Sequence, residues 1–168
     1  MVQIRFSYES GRVKKAYVVL LLVLAVVVVL AVLNFRLERV IESVGRIVVR
    51  HSPGGALPGV TLNCQIYTDN SKTATLSFID WGTRYPGEAK THNVYVFNSG
   101  SVPFVLGLST ESWVPSNASD YIHLSWDYDG GVVQPNMGIA VTLTLKVDSN
   151  ITGVDTFAFD IVFTVTQA

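Results

Sequence analysis

A single cysteine, Cys64, occurs in the 168 residues, which excludes an intramolecular disulfide and the paired-cysteine frameworks that staple small secreted domains. Its place among the alternating residues Val60, Leu62 and Ile66 suits a small buried hydrophobe, with an intermolecular bridge as the other use open to it. No basic residue or histidine stands near it in sequence to make it a nucleophile. Charge is scarce too, at 15% of the chain. From residue 51 onward the only basic residues are Lys72, Arg84, Lys90 and Lys146, set against ten acids. Phosphate-backbone recognition needs clustered Lys and Arg, so nucleic acid is excluded as a partner. The three histidines, His51, His92 and His123, have no HxH or HxxxH spacing that would mark a zinc site. No GxSxG elbow, Walker A loop or dinucleotide fingerprint occurs, and GGALPG lacks the Lys and following helix that a phosphate cradle requires. The expectation is a protein that is not an enzyme and holds no cofactor.

What the chain has in excess is apolar sequence, 49% overall, concentrated in AYVVLLLVLAVVVVLAVL from Ala16 to Leu33. As a helix these residues extend about 27 Å at 1.5 Å per residue, against a hydrocarbon thickness of about 30 Å, and Phe35 is available to lengthen the run. Fourteen of the eighteen are Leu or Val, so insertion gains about 4 to 8 kcal/mol with no charge to oppose it. Valine favours strands in water, but a lone strand in lipid leaves its backbone groups unpaired, so the helix is the expected form. Residues 16–35 are therefore expected to be a transmembrane helix in the lipid bilayer, with 1–15 as a basic cytoplasmic tail. Arg12, Lys14 and Lys15 crowd the near side of the run, and a large following domain is translocated largely regardless of its charge. This orients the C-terminal domain outside the cell membrane.

A secretory signal has a shorter apolar region and a small-x-small cleavage site, whereas this run ends in Leu33-Asn34-Phe35-Arg36. Val29-Leu30-Ala31 is the only passable cleavage site. Lys15-Ala16 ahead of Tyr17 resembles the processing point before the hydrophobic helix of archaeal type IV pilins and archaellins. That resemblance implies a filament subunit as the alternative, with cleavage between Ala16 and Tyr17.

Beyond the span, Leu37, Val40, Ile41 and Val44 fall at i, i+3, i+4 and i+7, with Arg36, Glu38, Arg39 and Glu42 between them. This spacing predicts an amphipathic helical stalk over 36–45, stopped by Gly45. From residue 46 the period becomes two. Val60 to Ile66 and Val141 to Val147 alternate apolar with polar residues, and Phe157, Phe159, Ile161, Phe163 and Val165 form the longest single-faced series, expected to be the central core strand. Shorter runs lie around Ala74 to Ile79, Asn93 to Phe97, Phe104 to Leu108 and Tyr121 to Trp126. Turn-rich stretches such as RYPGE, NSGSVP, VPSNAS and SNITG separate them and are too short for crossover helices. The fold class expected for 46–168 is an all-β, antiparallel sandwich of about seven to eight strands.

Residues 77–165 carry a resemblance as well. Asp80-Trp81-Gly82, Pro86-Gly87, the strand and turn Val94-Tyr95-Val96-Phe97-Asn98-Ser99-Gly100, Trp113, Trp126, Thr142-Leu143-Thr144-Leu145 and Phe159-Asp160-Ile161 resemble the immunoglobulin-like domain of archaeal single-span surface proteins. More loosely they are similar to CARDB-type and other adhesion modules. The resemblance implies an immunoglobulin-like β-sandwich held outside the cell for structural or adhesive contacts, with no catalytic residues. Self-association or other envelope proteins are the partners it leaves open.

The stretch SWDYDGG, residues 125 to 131, is the densest candidate site. Asp129-Gly130 is a favoured pair for a turn with positive φ. A calcium loop needs acids at positions 1, 3 and 5 and a Glu at 12, of which only Asp127 and Asp129 are present. These two remain the metal candidates, completed by Asp120 or Asp80 if a cation binds. Trp81, Trp113 and Tyr128 are the candidates for an aromatic contact surface, with core packing as the other reading. Asn117-Ala118-Ser119 and Asn150-Ile151-Thr152 are glycosylation acceptor triplets in expected loops.

Overall fold

A computed structural model describes residues 23–25, 42–52 and 59–168. The chain divides into two units, Met1–Glu38 and Arg39–Ala168. Of the first, Val23 to Ala25 are helical. The remainder of the expected span 16–35, the tail 1–15 and the proposed processing point at Ala16 and Tyr17 lie outside the described residues. No helix among the described residues is long and apolar enough to cross a membrane.

The second unit holds eight strands among its described residues: β1 (Glu42–His51), β2 (Cys64–Tyr67), β3 (Phe78–Asp80), β4 (Ala89–Asn98), β5 (Phe104–Val114), β6 (Ile122–Trp126), β7 (Gly138–Val147) and β8 (Thr156–Gln167). A 3-10 turn, Ser116–Asp120, joins β5 to β6. Two four-stranded sheets form, in the orders β3-β1-β8-β5 and β2-β4-β7-β6. One buried cluster draws on both, including Ile79, Phe104, Phe159, Ile161 and Phe163 from the first and Ile66, Val94, Val96, Leu143 and Leu145 from the second. The architecture is an all-β sandwich.

The alternation read in the sequence explains most of this. In β7, Val141, Leu143, Leu145 and Val147 are buried while the residues between them are not. In β8, Phe157, Phe159, Ile161, Phe163 and Val165 are all buried, and the strand lies between β1 and β5, as expected of a central core strand. Side chains of period two give one sheet face to the core.

Two expectations need correction. Glu42 to Gly45, expected to end the helical stalk, are strand residues, while 36–41 lie outside the described residues. The helical spacing at Leu37, Val40, Ile41 and Val44 is local, whereas β1 gains a ladder of ten residue pairs with β8. A long-range ladder with a buried face outweighs a local preference. The sandwich is also not wholly antiparallel, because β1 runs parallel to β8. The first and last strands have the whole domain between them, so no short crossover is needed to make them parallel.

Gly45 shows why β1 fits there. A Cβ at this position would lie 2.8 Å from Ile161 Cδ1 and 3.0 Å from Trp81 Nε1. The missing side chain leaves room for the indole of Trp81, which is 0% exposed. Ser43, one inward position earlier, is also buried and its Oγ donates to the Gly82 carbonyl at 3.1 Å.

Candidate functional site

The register divides the sandwich into two ends. At the near end, where β1 begins, Glu42 stands beside Thr156, Val44 beside Asp80 and Ile122 beside Val147. The connections 81–88, 115–121 and 148–155 therefore lie there. At the far end, Phe104 pairs with Gln167, Cys64 with Asn98 and Phe97 with Gly138. The connections 99–103 and 127–137 lie there with Ser52, whose N–H donates to the Val165 carbonyl at 2.9 Å.

SWDYDGG opens the far-end connection. It is a turn at the end of the sandwich, not a tight hairpin, since β7 resumes only at Gly138. Asp127 extends the β6–β7 ladder: its N–H donates to the Thr142 carbonyl at 3.2 Å, and its Oδ1 accepts the Thr142 N–H at 2.7 Å. That hydrogen bond holds the Asp127 carboxyl below its ordinary pKa. Asp129 Oδ1 accepts the Gly131 N–H at 2.9 Å, and Gly130 takes φ of 87°, as the Asp-Gly pair predicts. Tyr128 Oη donates to the Gly131 carbonyl and accepts the Leu106 N–H at 3.2 Å.

The same connection then crosses between sheets. Val133 and Phe104 exchange backbone hydrogen bonds of 2.8 and 3.1 Å, so a residue from the β6–β7 loop covers the start of β5, an edge strand of the other sheet. Asn98 anchors the crossing. Fully buried, it donates through Nδ2 to the carbonyls of Val102 at 2.8 Å and Val133 at 3.0 Å. Its Oδ1 accepts the Gly100 N–H at 2.9 Å. A buried amide whose donors and acceptor are all engaged fixes the loops that it joins. Gly100 completes the joint, because a Cβ there would come within 2.2 Å of the Thr61 carbonyl oxygen. Sequence reasoning treats Asn98-Ser99-Gly100 as a turn and misses this anchoring role. An Asn-x-Gly opening a turn after a buried strand is the local signal for it.

An open depression of about 280 Å³ is formed by Asp127, Tyr128, Asp129 and Val132 on the loop with Ile139 and Ala140 on β7. Val132 within it and Met137 later in the same loop are exposed apolar residues. Chemically the site offers two exposed carboxylates, each with one oxygen already accepting a backbone N–H, over an apolar floor. Such a surface suits a donor-bearing or cationic group. Among the described residues no group of three or more His, Cys, Asp or Glu is placed to hold a metal ion.

The other candidate residues lie elsewhere. Trp81 is in the core and cannot belong to a contact surface, because β3 turns it inward over Gly45. Trp113, partly buried near the end of β5, stacks on Phe159 with centroids 4.2 Å apart and planes within 5°. Tyr128 meets Trp126 edge-on at 5.0 Å. The three therefore make no common platform. Of the two acids named as completing a cation site, Asp80 lies at the near end, where its Oδ1 accepts the Gly82 N–H at 2.7 Å, and Asp120 closes the 3-10 turn there. His92 packs against Trp81 at 6.2 Å, and burial followed by the Lys90 charge pushes its pKa down. Cys64 is buried at 6% exposure. Asn117 and Asn150 are exposed, both at the near end. No family model matches the chain, and no curated protein matches it closely enough to count as a relative.

Proposed function

We propose that the chain is a non-enzymatic, membrane-anchored surface protein. The helix expected over 16–35 holds it in the lipid bilayer, and an immunoglobulin-like sandwich is presented outside the cell for structural or adhesive contacts with envelope proteins or further copies of itself. The observation that carries this reading is the opposition of the two ends. The chain enters the sandwich at Glu42 at the near end, while the acidic and apolar loop around Asp127, Asp129, Val132 and Met137 is exposed at the far end. A tether at one end and an exposed loop at the other is the arrangement that presentation requires, since binding residues concentrate on loops held by a rigid scaffold.

Two features support the immunoglobulin-like label: the pair of four-stranded sheets around one core, and the tryptophan buried between them. The strand orders depart from the ABED and CFG arrangement of immunoglobulin constant domains, so the kinship proposed is one of sandwich architecture.

Fractionation of cells making the full-length chain tests the reading. It should sediment with membranes, resist washing with salt and alkali, dissolve in detergent, and lose its C-terminal domain to protease added outside intact cells. Recovery as a dispersed cytosolic protein shielded from that protease would overturn the proposal.

A further inference from the structure

We infer that Asn117 and Asn150 are a pair of N-glycan attachment sites grouped at the near end of the sandwich. The inference rests on the reading that this domain lies outside the cell, and it adds a modification with a defined location.

The two acceptor triplets share a local geometry that neither sequence alone reveals. In Asn117-Ala118-Ser119 the middle residue is 0% exposed and both flanking residues are exposed; in Asn150-Ile151-Thr152 the middle residue is 5% exposed and its neighbours are again outward. An inward apolar residue pins each triplet to the core. The asparagine and the hydroxyl residue that define the acceptor thus face solvent together. The first triplet lies in the 3-10 turn between β5 and β6, where Ala118 N–H donates to the Pro115 carbonyl at 3.0 Å and Tyr121 N–H to the Ala118 carbonyl at 3.1 Å. The second lies in the connection from β7 to β8, where Ile151 N–H donates to the Asp148 carbonyl at 3.3 Å. Asp148 N–H donates to the Tyr121 carbonyl at 2.8 Å, which ties the two connections together. Neither asparagine side chain is engaged in a hydrogen bond among the described residues, so modification breaks no contact of the fold.

The chemistry is a glycosyl transfer from a lipid-pyrophosphate-linked oligosaccharide. The Asn Nδ2 forms a bond to the anomeric carbon, the bond from that carbon to the phosphate oxygen breaks, and the lipid pyrophosphate departs. The departing pyrophosphate oxygen keeps the electron pair of the broken bond, the amide gives up one proton to the solvent, and nothing is oxidised or reduced. Two bulky, solvated sugars at the near end would surround the point where the chain enters and leave the far-end loop uncovered.

Translation of the full-length chain with glycosylation-competent microsomes tests this, using a version that also carries an Asn-Ser-Thr acceptor on a flexible tail after Ala168. The expected product carries three glycans, removed together by peptide N-glycosidase. Asn117→Gln and Asn150→Gln should each lose one step of the gel shift, and the double variant should keep only the tail glycan. If the tail alone is modified in the unsubstituted chain, the domain crosses the membrane but the paired sites are refuted. If only one of the two asparagines is modified, the pairing is refuted. If nothing is modified, the tail included, the outward orientation fails and this inference falls with it.

Discussion

Asp160 on β8 accepts the Nε–H and an Nη2–H of Arg46 on β1 at 2.7 and 2.6 Å, so that a two-pronged ion pair joins the last strand to the first across their parallel ladder. The Arg46 side chain is 68% exposed and that of Asp160 only 9%. The carboxylate is the partner that has given up more of its water, and the guanidinium favours its charged form there. Four residues further along the same face of β1, Arg50 Nη1 reaches Glu111 Oε1 on β5 at 2.6 Å, which ties three neighbouring strands together through side chains.

The hydrogen bonds from Arg46 hold the Asp160 carboxyl below its usual range, with burial opposing them. A depressed folded-state pKa contributes stability that is complete above the unfolded value of about 3.9 and is lost as pH falls through the folded value. Arg46→Gln should therefore lower the urea midpoint at pH 7, and the gap from the unsubstituted protein should close as pH falls from about 4 toward 2. A gap of constant size down to pH 2 would assign the loss to packing instead of charge.

Gly45→Ala places a methyl group against Ile161 Cδ1 and Trp81 Nε1. Overpacking of this kind costs on the order of 1–3 kcal/mol. Adding Ile161→Val, which removes that Cδ1, should restore part of the loss, and a double-mutant cycle by chemical denaturation should show the coupling. Strictly additive effects would mean that the glycine matters through its backbone and not through the space it leaves.

Asn98→Ala removes three hydrogen bonds from a buried joint and leaves the Val102 and Val133 carbonyls and the Gly100 N–H without this partner. The expected cost is about 2–4 kcal/mol. Hydrogen exchange should rise first at Phe104 and Val133, whose mutual backbone bonds depend on the joint. Unchanged protection at both residues would show that the crossing stands without Asn98.

Burial pushes the Cys64 thiol up to about 12. At pH 8 almost none of it is thiolate, so maleimide labelling of the native protein should be slow and should accelerate along the urea unfolding curve. Rapid labelling without denaturant, or a disulfide-linked dimer formed by the native chain in air, would contradict the buried placement.

The parts of the fold legible in the sequence are those in which one strand's own period decides the outcome. Val141 to Val147 alternate apolar with polar residues, Phe157 to Val165 carry a large apolar side chain at every second position, and both runs are core strands. The rest is not written locally, because the deciding partner is remote. β1 carries a helical spacing at its start, and only β8, more than a hundred positions later, reveals that Ser43 and Gly45 face inward. Trp81 looked available for contacts because nothing adjacent in sequence announces that Gly45 has cleared a space for it. In the candidate site, Asp129-Gly130 announces its turn, whereas the reach of Val133 to Phe104 belongs to no local pattern. Ala16 to Leu33 lies outside the described residues except for Val23 to Ala25, and the membrane helix expected there is read from hydropathy.

The parallel pairing of β1 with β8 also governs how the domain meets tension. A pull on the chain ahead of Glu42, resisted by something gripping the loop around Asp129, drags β1 lengthwise along its neighbour. The ten rungs between these strands then share the strain at once instead of parting one after another, so the domain is braced against force along the strand axis.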